Sequence, residues 1–358
     1  MGITSTGTKV EDITYSSNRE ILYVGGSGSG NYSSIQEAID NSSNGDLVFV
    51  YDDLSPYCEH LTIKQSITLI GEKKDTTKIN GIGKDKNIIL IKSFNVGING
   101  FTIQYATDRY SGISITNSFQ VTIEDCKFSN IPSMDAITVS NSENITMNNC
   151  IMSDTLENNI IKCSQDNRYI SGITLEGGCS NTTISGNTIS NASYAGIIVL
   201  EGCNNTKIIE NYIHSNDKYG IRTQYCNYTY IEENIISKNH LQGIAVYACS
   251  YAFIYRNSCE NNGKSGIGIG DSIATIIEDN NFISNGVIGY FSYNFGEDYL
   301  NILPDIMWSG NYWNRARIFP KLIWGSVVFQ SNHQSPIIII PWINIDWNPA
   351  KEPFDIGV

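Results

Sequence analysis

Glu176 and Arg222 fall at outward positions on nearby turns of a repeating sequence, Glu176 in one column with Gln224 and Tyr247, Arg222 two residues earlier in its own turn, and Glu201 in the turn adjoining the strand between them. Carboxylates one turn apart would stand about 5 to 7 Å from each other, which overlaps the separation used by paired carboxylates in glycoside cleavage. Arg168, Tyr169, Lys218, Tyr219 and His240 flank the column from the connections ahead of it. We expect Glu176, Glu201 and Arg222 as candidate catalytic groups, and Arg168, Tyr169, Tyr219, Gln224 and Tyr247 as saccharide contacts. A plainer description fits the same residues: outward positions of a soluble sheet are polar, and a surface Glu–Arg pair contributes about 0–1 kcal/mol.

What would bring these side chains together is the repeat. A small residue followed by an apolar-x-apolar triplet begins at Gly112, Ala136, Gly172, Gly196, Gly220, Gly243 and Gly266, in steps of 24, 36, 24, 24, 23 and 23. A second anchor keeps the same beat through Cys126, Cys150, Asn187, Asn211, Asn234, Asn257 and Asn280. Alternation over only three or four residues, broken by Gly, Asn and Ser, marks short half-buried strands and not helices. Strands that stack on their equivalents in the next turn make a parallel β-solenoid. About ten coils are expected, hence a rod core of about 50 Å. Asn at a recurring turn suits the left-handed backbone region, and its amide can bond the Asn above and below.

The cysteines obey the same register, with Cys179, Cys203, Cys226 and Cys249 in one column and Cys126 and Cys150 in the Asn column. Stacked strands lie about 4.8 Å apart, a Cα spacing that a disulfide allows, so bridges between coils compete with free thiols filling interior space. No C-x-x-C pair occurs, which argues against zinc or redox chemistry.

With 358 residues and no Pro- or Ser-rich linker inside the repeat, one elongated domain is expected: a leading segment over 1–20, the solenoid over 21–300 and a capping segment over 301–358. The net charge of −13 with 23 Lys and Arg disfavours nucleic acid as a partner. Twenty-one Tyr among abundant Asn, Ser and Thr suit a polysaccharide or surface glycan. N-x-S/T sequons begin at Asn31, Asn41, Asn144, Asn181, Asn191, Asn204 and Asn227, weak support for an exported chain in so Asn-rich a sequence. Met1 and Gly2 before a polar stretch read as a mature exported protein with an added initiator, a cytosolic start being the alternative. The apolar run at 337–340 is too short to span a bilayer. Ile35, Ala38 and Ile39 at helical spacing behind Ser33 or Ser34 predict a short helix plugging the first coil. Trp308, Trp313, Trp324, Trp342 and Trp347 read either as a hydrophobic cap for the last coil or as a sugar-stacking platform.

Three segments carry a resemblance: YSSIQEAID at 32–40, NGDLVFV at 44–50 and LTIKQSITLIG at 61–71. They resemble the entry to right-handed parallel β-helix proteins of the pectin-lyase-like superfamily. The repeats are similar to those of its NosD-type, carbohydrate-binding and sugar-hydrolase group. GNYWNR at 310–315, PWINIDW at 341–347 and PAKEP at 349–353 resemble the ending of archaeal exported β-helix proteins.

The resemblance implies that the Asn ladder lies in the second turn, that the Gly-Ile-x-Ile strands form the first sheet, and that the long connection at 152–169 borders a substrate groove. It implies no particular activity, because the fold hosts lyases, hydrolases, epimerases, adhesins and structural proteins. The chain lacks Gly-His-Gly and the Asp-Pro-His-Glu motif of uronan epimerases. Its only counterparts to polygalacturonase acids are Asp52, Asp53 and Asn344-Ile-Asp346. No cofactor is expected; Ca2+ would lack a motif, and His60, His214 and His333 lie in unlike register positions, unsuited to copper. The expected role is an extracellular or cell-surface glycan-binding or structural protein, with a polysaccharide hydrolase or lyase as the alternative. Exposed aromatics and amides, above all a stacked Tyr row, would favour binding; carboxylates converging on one vacant point would favour catalysis.

Overall fold

Apolar residues at every second position can bury only one side of a strand, and here three such strands per turn close around one interior. The computed structural model describes residues 19–83, 85–107, 109–131, 135–153, 170–295, 305–317, 319–329 and 338–357. A representative coil runs through Ala195–Leu200, Lys207–Ile209 and Tyr212–His214 before the next begins at Tyr219–Gln224. Each coil's strands pair in parallel with their equivalents, and with one antiparallel closing strand on the first sheet this builds sheets of 12, 12 and 10 strands. We call these the first sheet (Gly-Ile-x-Ile strands), the second (Lys207–Ile209 and equivalents) and the third (Tyr212–His214 and equivalents).

The predicted register holds. Ile113, Ile137, Ile173, Ile197, Ile221, Ile244 and Ile267 are successive partners, each fully buried. The small residue ahead of each is required by close approach: a Cβ on Gly220 would come 2.6 Å from the Gly243 carbonyl oxygen. Ala136 is the one methyl in the row among the described residues.

The asparagine ladder is present, but its backbone differs from expectation. Asn234 donates from N and Nδ2 to Asn257 Oδ1 at 3.1 and 2.9 Å, and its own Oδ1 takes both donors of Asn211 at 3.0 Å. The left-handed residues are those just before the ladder, Glu210, Glu233, Arg256 and Asp279, at φ between 51 and 55°. The amide, not conformational tolerance, is what selects Asn there. Each left-handed residue costs roughly 1–2 kcal/mol and is held by bonds such as Glu233 N to Tyr255 O at 3.1 Å. A second ladder, unforeseen from the sequence, runs through Asn216, Asn239, Asn262 and Asn285 in the turn after the third sheet.

The main thiol column continues a serine column. Ser118 N donates to Ser142 Oγ at 3.1 Å, Cys179 N to Cys203 Sγ at 3.3 Å and Cys249 N to Ser272 Oγ at 3.1 Å. The eight described cysteines are free and seven are buried. The buried ones act as space-fillers whose thiols also donate to backbone carbonyls, as Cys226 Sγ does to Val199 O and Gln224 O; Cys163 lies outside the described residues.

At the N-terminal end the helix Ile35–Asp40 packs on Ile21–Val24, Leu47–Val50 and Leu61–Ile63 and buries Ile35, Ala38 and Ile39. Ser34 is its N-cap, and the Glu59 carboxylate accepts from Ile35 N and Gln36 N at 2.8 and 2.9 Å. At the other end Ile306–Ser309, Tyr312–Trp313 and Lys321–Phe329 extend the three sheets, and Ile338–Asp346 turns back antiparallel along the first. Trp308 and Trp313 are buried there, whereas Trp324 and Trp347 are exposed. Asp346 closes the ladder: its Oδ2 accepts from Asn311 N and Nδ2 at 3.1 Å and from Trp313 Nε1 at 2.9 Å. No helix among the described residues is long and apolar enough to cross a membrane.

Candidate functional site

The first sheet presents three outward rows. Nearest the preceding turn stand Ser111, Asp135, Ser171, Ala195, Tyr219, Gln242 and Ser265; the middle row includes Thr138, Thr174, Ile198 and Arg222; the last includes Ser140, Glu176, Leu200, Gln224 and Tyr247. Against expectation much of this face is covered: Ser171, Thr174, Ala195, Ile198, Gln242, Ala245 and Ser265 are all buried. Tyr194, reaching over from the turn, packs with Ala195, Ile198, Leu200 and Tyr219 in an apolar patch outside the main core.

Glu176 and Glu201 do come together. With Ser140, Asn141, Gly177 and Leu200 they line an open groove of about 390 Å3. Ser140 and Glu176 are register partners, while Glu201 lies one residue past Leu200 in a left-handed turn at φ 24°. Both carboxylates are exposed to water.

Arg222 does not line this groove. Its guanidinium carbon sits 5.4 to 5.7 Å from the ring centres of Tyr219, Tyr247 and Tyr194, and its Nη2 donates to Gln224 Oε1 at 2.6 Å. A cation enclosed by three π faces is held in place by the rings and by Gln224. Lys218 also lies over the Tyr194 ring, at 4.9 Å. Gln224, Tyr219 and Tyr247 are thus gathered around Arg222; His240 is exposed, and Arg168 and Tyr169 lie outside the described residues.

Asp135 was missed by the sequence reading. It stands one place before the small-residue anchor, in a row the anchor leaves out. Its Oδ1 accepts from Ser171 N at 2.6 Å, and it is only 6 % exposed. Burial raises its pKa to about 7; the Ser171 N–H and the nearby Thr174 hydroxyl oppose the rise, and the charge on Glu176 adds to it. The Thr174 hydroxyl closes no hydrogen bond of sound geometry itself.

A group protonated more readily in the fold than in the unfolded chain stabilises the fold at low pH, and that contribution fades as pH rises through about 4 to 7. Three pKa units correspond to about 4 kcal/mol as an upper bound. Asp135→Asn, which imitates the protonated carboxyl, should therefore gain on the wild type in melting temperature between pH 5 and pH 8. Parallel melting curves across that interval would remove the assignment.

The other acids singled out from the sequence have structural partners. Asp52 accepts from Thr76 Oγ1 at 2.7 Å and pairs with Lys73, Asp53 accepts from Gly26 N at 2.9 Å, and Asp346 caps the ladder. No group of three or more His, Cys, Asp or Glu that could hold a metal occurs among the described residues. His60 bridges the Asn87 and Gly81 carbonyls at 3.0 and 3.1 Å, and His333 lies outside the described residues. Just ahead of the second sheet Tyr228 and Tyr251 stack at 4.9 Å with 4° between their planes, each 44 % exposed, and Tyr230 and Phe253 stack beside them at 5.0 Å.

Comparison with solved structures places the chain among solenoids of varied activity. It superposes on the A-module of a mannuronan C-5 epimerase from Azotobacter vinelandii with a TM-score of 0.60 and 16% identity, over 73% of this chain and 76% of that one. The Dettilon tailspike protein gives 0.60 and 12% over 87% and 74%, and the Streptococcus pneumoniae surface protein and adhesin PfbA gives 0.54 and 14% over 77% and 92%. At such identities the likeness concerns the fold alone. No curated protein matches the chain in sequence. The family profile of the right-handed β-helix region matches residues 78–211 and 171–301, together more than half of the 358 residues. With the three parallel sheets, this match establishes that the chain belongs to the right-handed β-helix family.

Proposed function

We propose that the protein binds polysaccharide along the first sheet, as an exported or cell-surface solenoid. The observation that carries this reading is the open groove of about 390 Å3, lined by two exposed carboxylates, an amide and a hydroxyl. Exposed carboxylates accept hydrogen bonds from sugar hydroxyls; a general acid needs burial or a close partner to hold its proton near neutrality. The stacked Tyr228–Tyr251 pair adds two phenols on successive coils. A tailspike and a surface adhesin among the structural neighbours support an exterior location.

A second reading, a polysaccharide-acting enzyme, is favoured by one feature. Asp135 is a buried acid with a pKa near neutrality, close enough to Glu176 to feel its charge. An acid of that kind beside a second carboxyl group is an arrangement that glycoside chemistry uses.

A polysaccharide array scored for retention and for reducing-end or unsaturated products separates the two. Retention without release, weakened about tenfold in Glu176→Gln/Glu201→Gln, is the expected result. Release that disappears in Asp135→Asn or in the double variant would make the protein an enzyme. Absence of both retention and release would overturn the glycan reading.

A further inference from the structure

The third sheet carries a second hollow that shares no lining residue with the Glu176 groove. Lys78, Thr102 and Lys127 are register partners on three successive coils, and Gln104 and Ser129 stand two residues further along the same strands. With Asp75, Asn130 and Ser153 they line a depression of about 230 Å3. Thr102 is buried and its hydroxyl donates to Lys74 O at 2.6 Å, so a short, satisfied side chain lies between two long ones. Adjacent coils are about 4.8 Å apart, which puts the two lysine Cα atoms about 10 Å apart. The flexible four-carbon stems let both ammoniums converge over Thr102.

The neighbouring lysines are tied down: Lys74 pairs with Asp125, and Lys73 with Asp52 and Glu72. Lys78 and Lys127 have no ion-pair partner among the described residues. Two cations in one hollow, neither ion-paired among the described residues, stand out on a chain of net charge −13. The remaining lining is two amides, Gln104 and Asn130, two hydroxyls, Ser129 and Ser153, and the exposed carboxylate of Asp75.

We infer that this hollow is a subsite for one acidic sugar unit. Its carboxylate or sulfate ester lies between the Lys78 and Lys127 ammoniums, and its hydroxyls meet Gln104, Ser129, Asn130, Ser153 and Asp75. An acidic peptide would satisfy the two cations but would bring no array of hydroxyls for five hydrogen-bonding side chains. The inference uses none of the groove residues, so its failure and that of the groove reading are separable.

The test is calorimetric titration of the full chain with trigalacturonate, a sulfated chondroitin disaccharide, neutral maltotriose, sodium sulfate and triglutamate. The wild type should bind at least one acidic saccharide; trigalacturonate offers carboxylates alone, so binding of the chondroitin disaccharide without trigalacturonate would point to the sulfate ester. Lys78→Gln/Lys127→Gln should weaken that binding about tenfold or more, with an unchanged melting temperature, while Glu176→Gln/Glu201→Gln leaves it intact. Failure of both acidic saccharides to bind would overturn the inference, as would equal affinity in the lysine variant. So would sodium sulfate or triglutamate binding as tightly as the sugar. Loss confined to the glutamate variant would support the groove and remove this subsite.

Discussion

Ile221→Asp is expected to abolish the cooperative melting transition. Ile221 is fully buried between Ile197 and Ile244 in a row where every neighbour is apolar, and among the described residues no Lys or Arg is buried in the interior. An unpaired carboxylate in such a place either ionises at a cost of many kcal/mol or takes up a proton and still lacks a partner. The lost apolar contact adds about 2–4 kcal/mol. Folded domains have only about 5–15 kcal/mol in hand, and in a solenoid a broken coil also uncouples its neighbours. Circular dichroism against temperature checks this: a sharp transition near that of the wild type would mean that the row does not face the interior.

Asn234→Leu should cost about 3 kcal/mol or more while preserving the fold at room temperature. The amide accepts from Asn211 N and Nδ2, and donates to Ile208 O, Glu232 O and Asn257 Oδ1 at 2.8 to 2.9 Å. Leucine is close in size, so the change removes hydrogen bonds with little change in volume, and the Asn211 N–H is left buried with no acceptor. A urea titration reads the effect as a lower midpoint at nearly unchanged slope. A loss below about 0.5 kcal/mol would show that the ladder is ornamental to stability.

The periodic parts of the molecule were legible because each coil repeats the same physical demand. The buried Ile row, the small residue at the coil contact and the short helix behind Ser34 all follow from local spacing. What escaped is of two kinds. The ladder's backbone was misassigned because Asn tolerates the left-handed region, which made a sufficient reason look necessary; Glu233 and Arg256 take that strain instead. The second ladder at Asn216, Asn239, Asn262 and Asn285 keeps a 23-residue beat and was there to be counted.

The candidate site was less legible, because it depends on which outward positions are covered, and periodicity does not report that. Glu176 and Glu201 meet as expected, yet Arg222 is drawn away by Tyr194, a turn residue with no counterpart in the pattern. Asp135 escaped for a similar reason, since nothing in its spacing announces that Ser171 of the next coil will close over it.

The asparagine ladder has a direction. From one Asn to the next, every bond is donated toward the C-terminal end, so the file needs a last member that only receives, and Asp346 is that member. Between Asn187 and Asn280 any whole coil can be copied or deleted and each amide still finds the next, whereas the terminus cannot be improvised. The rod therefore behaves as a sentence with a fixed full stop: its length can drift by duplication of 23- or 24-residue units, while the carboxylate that ends it has to travel with the chain's last strand.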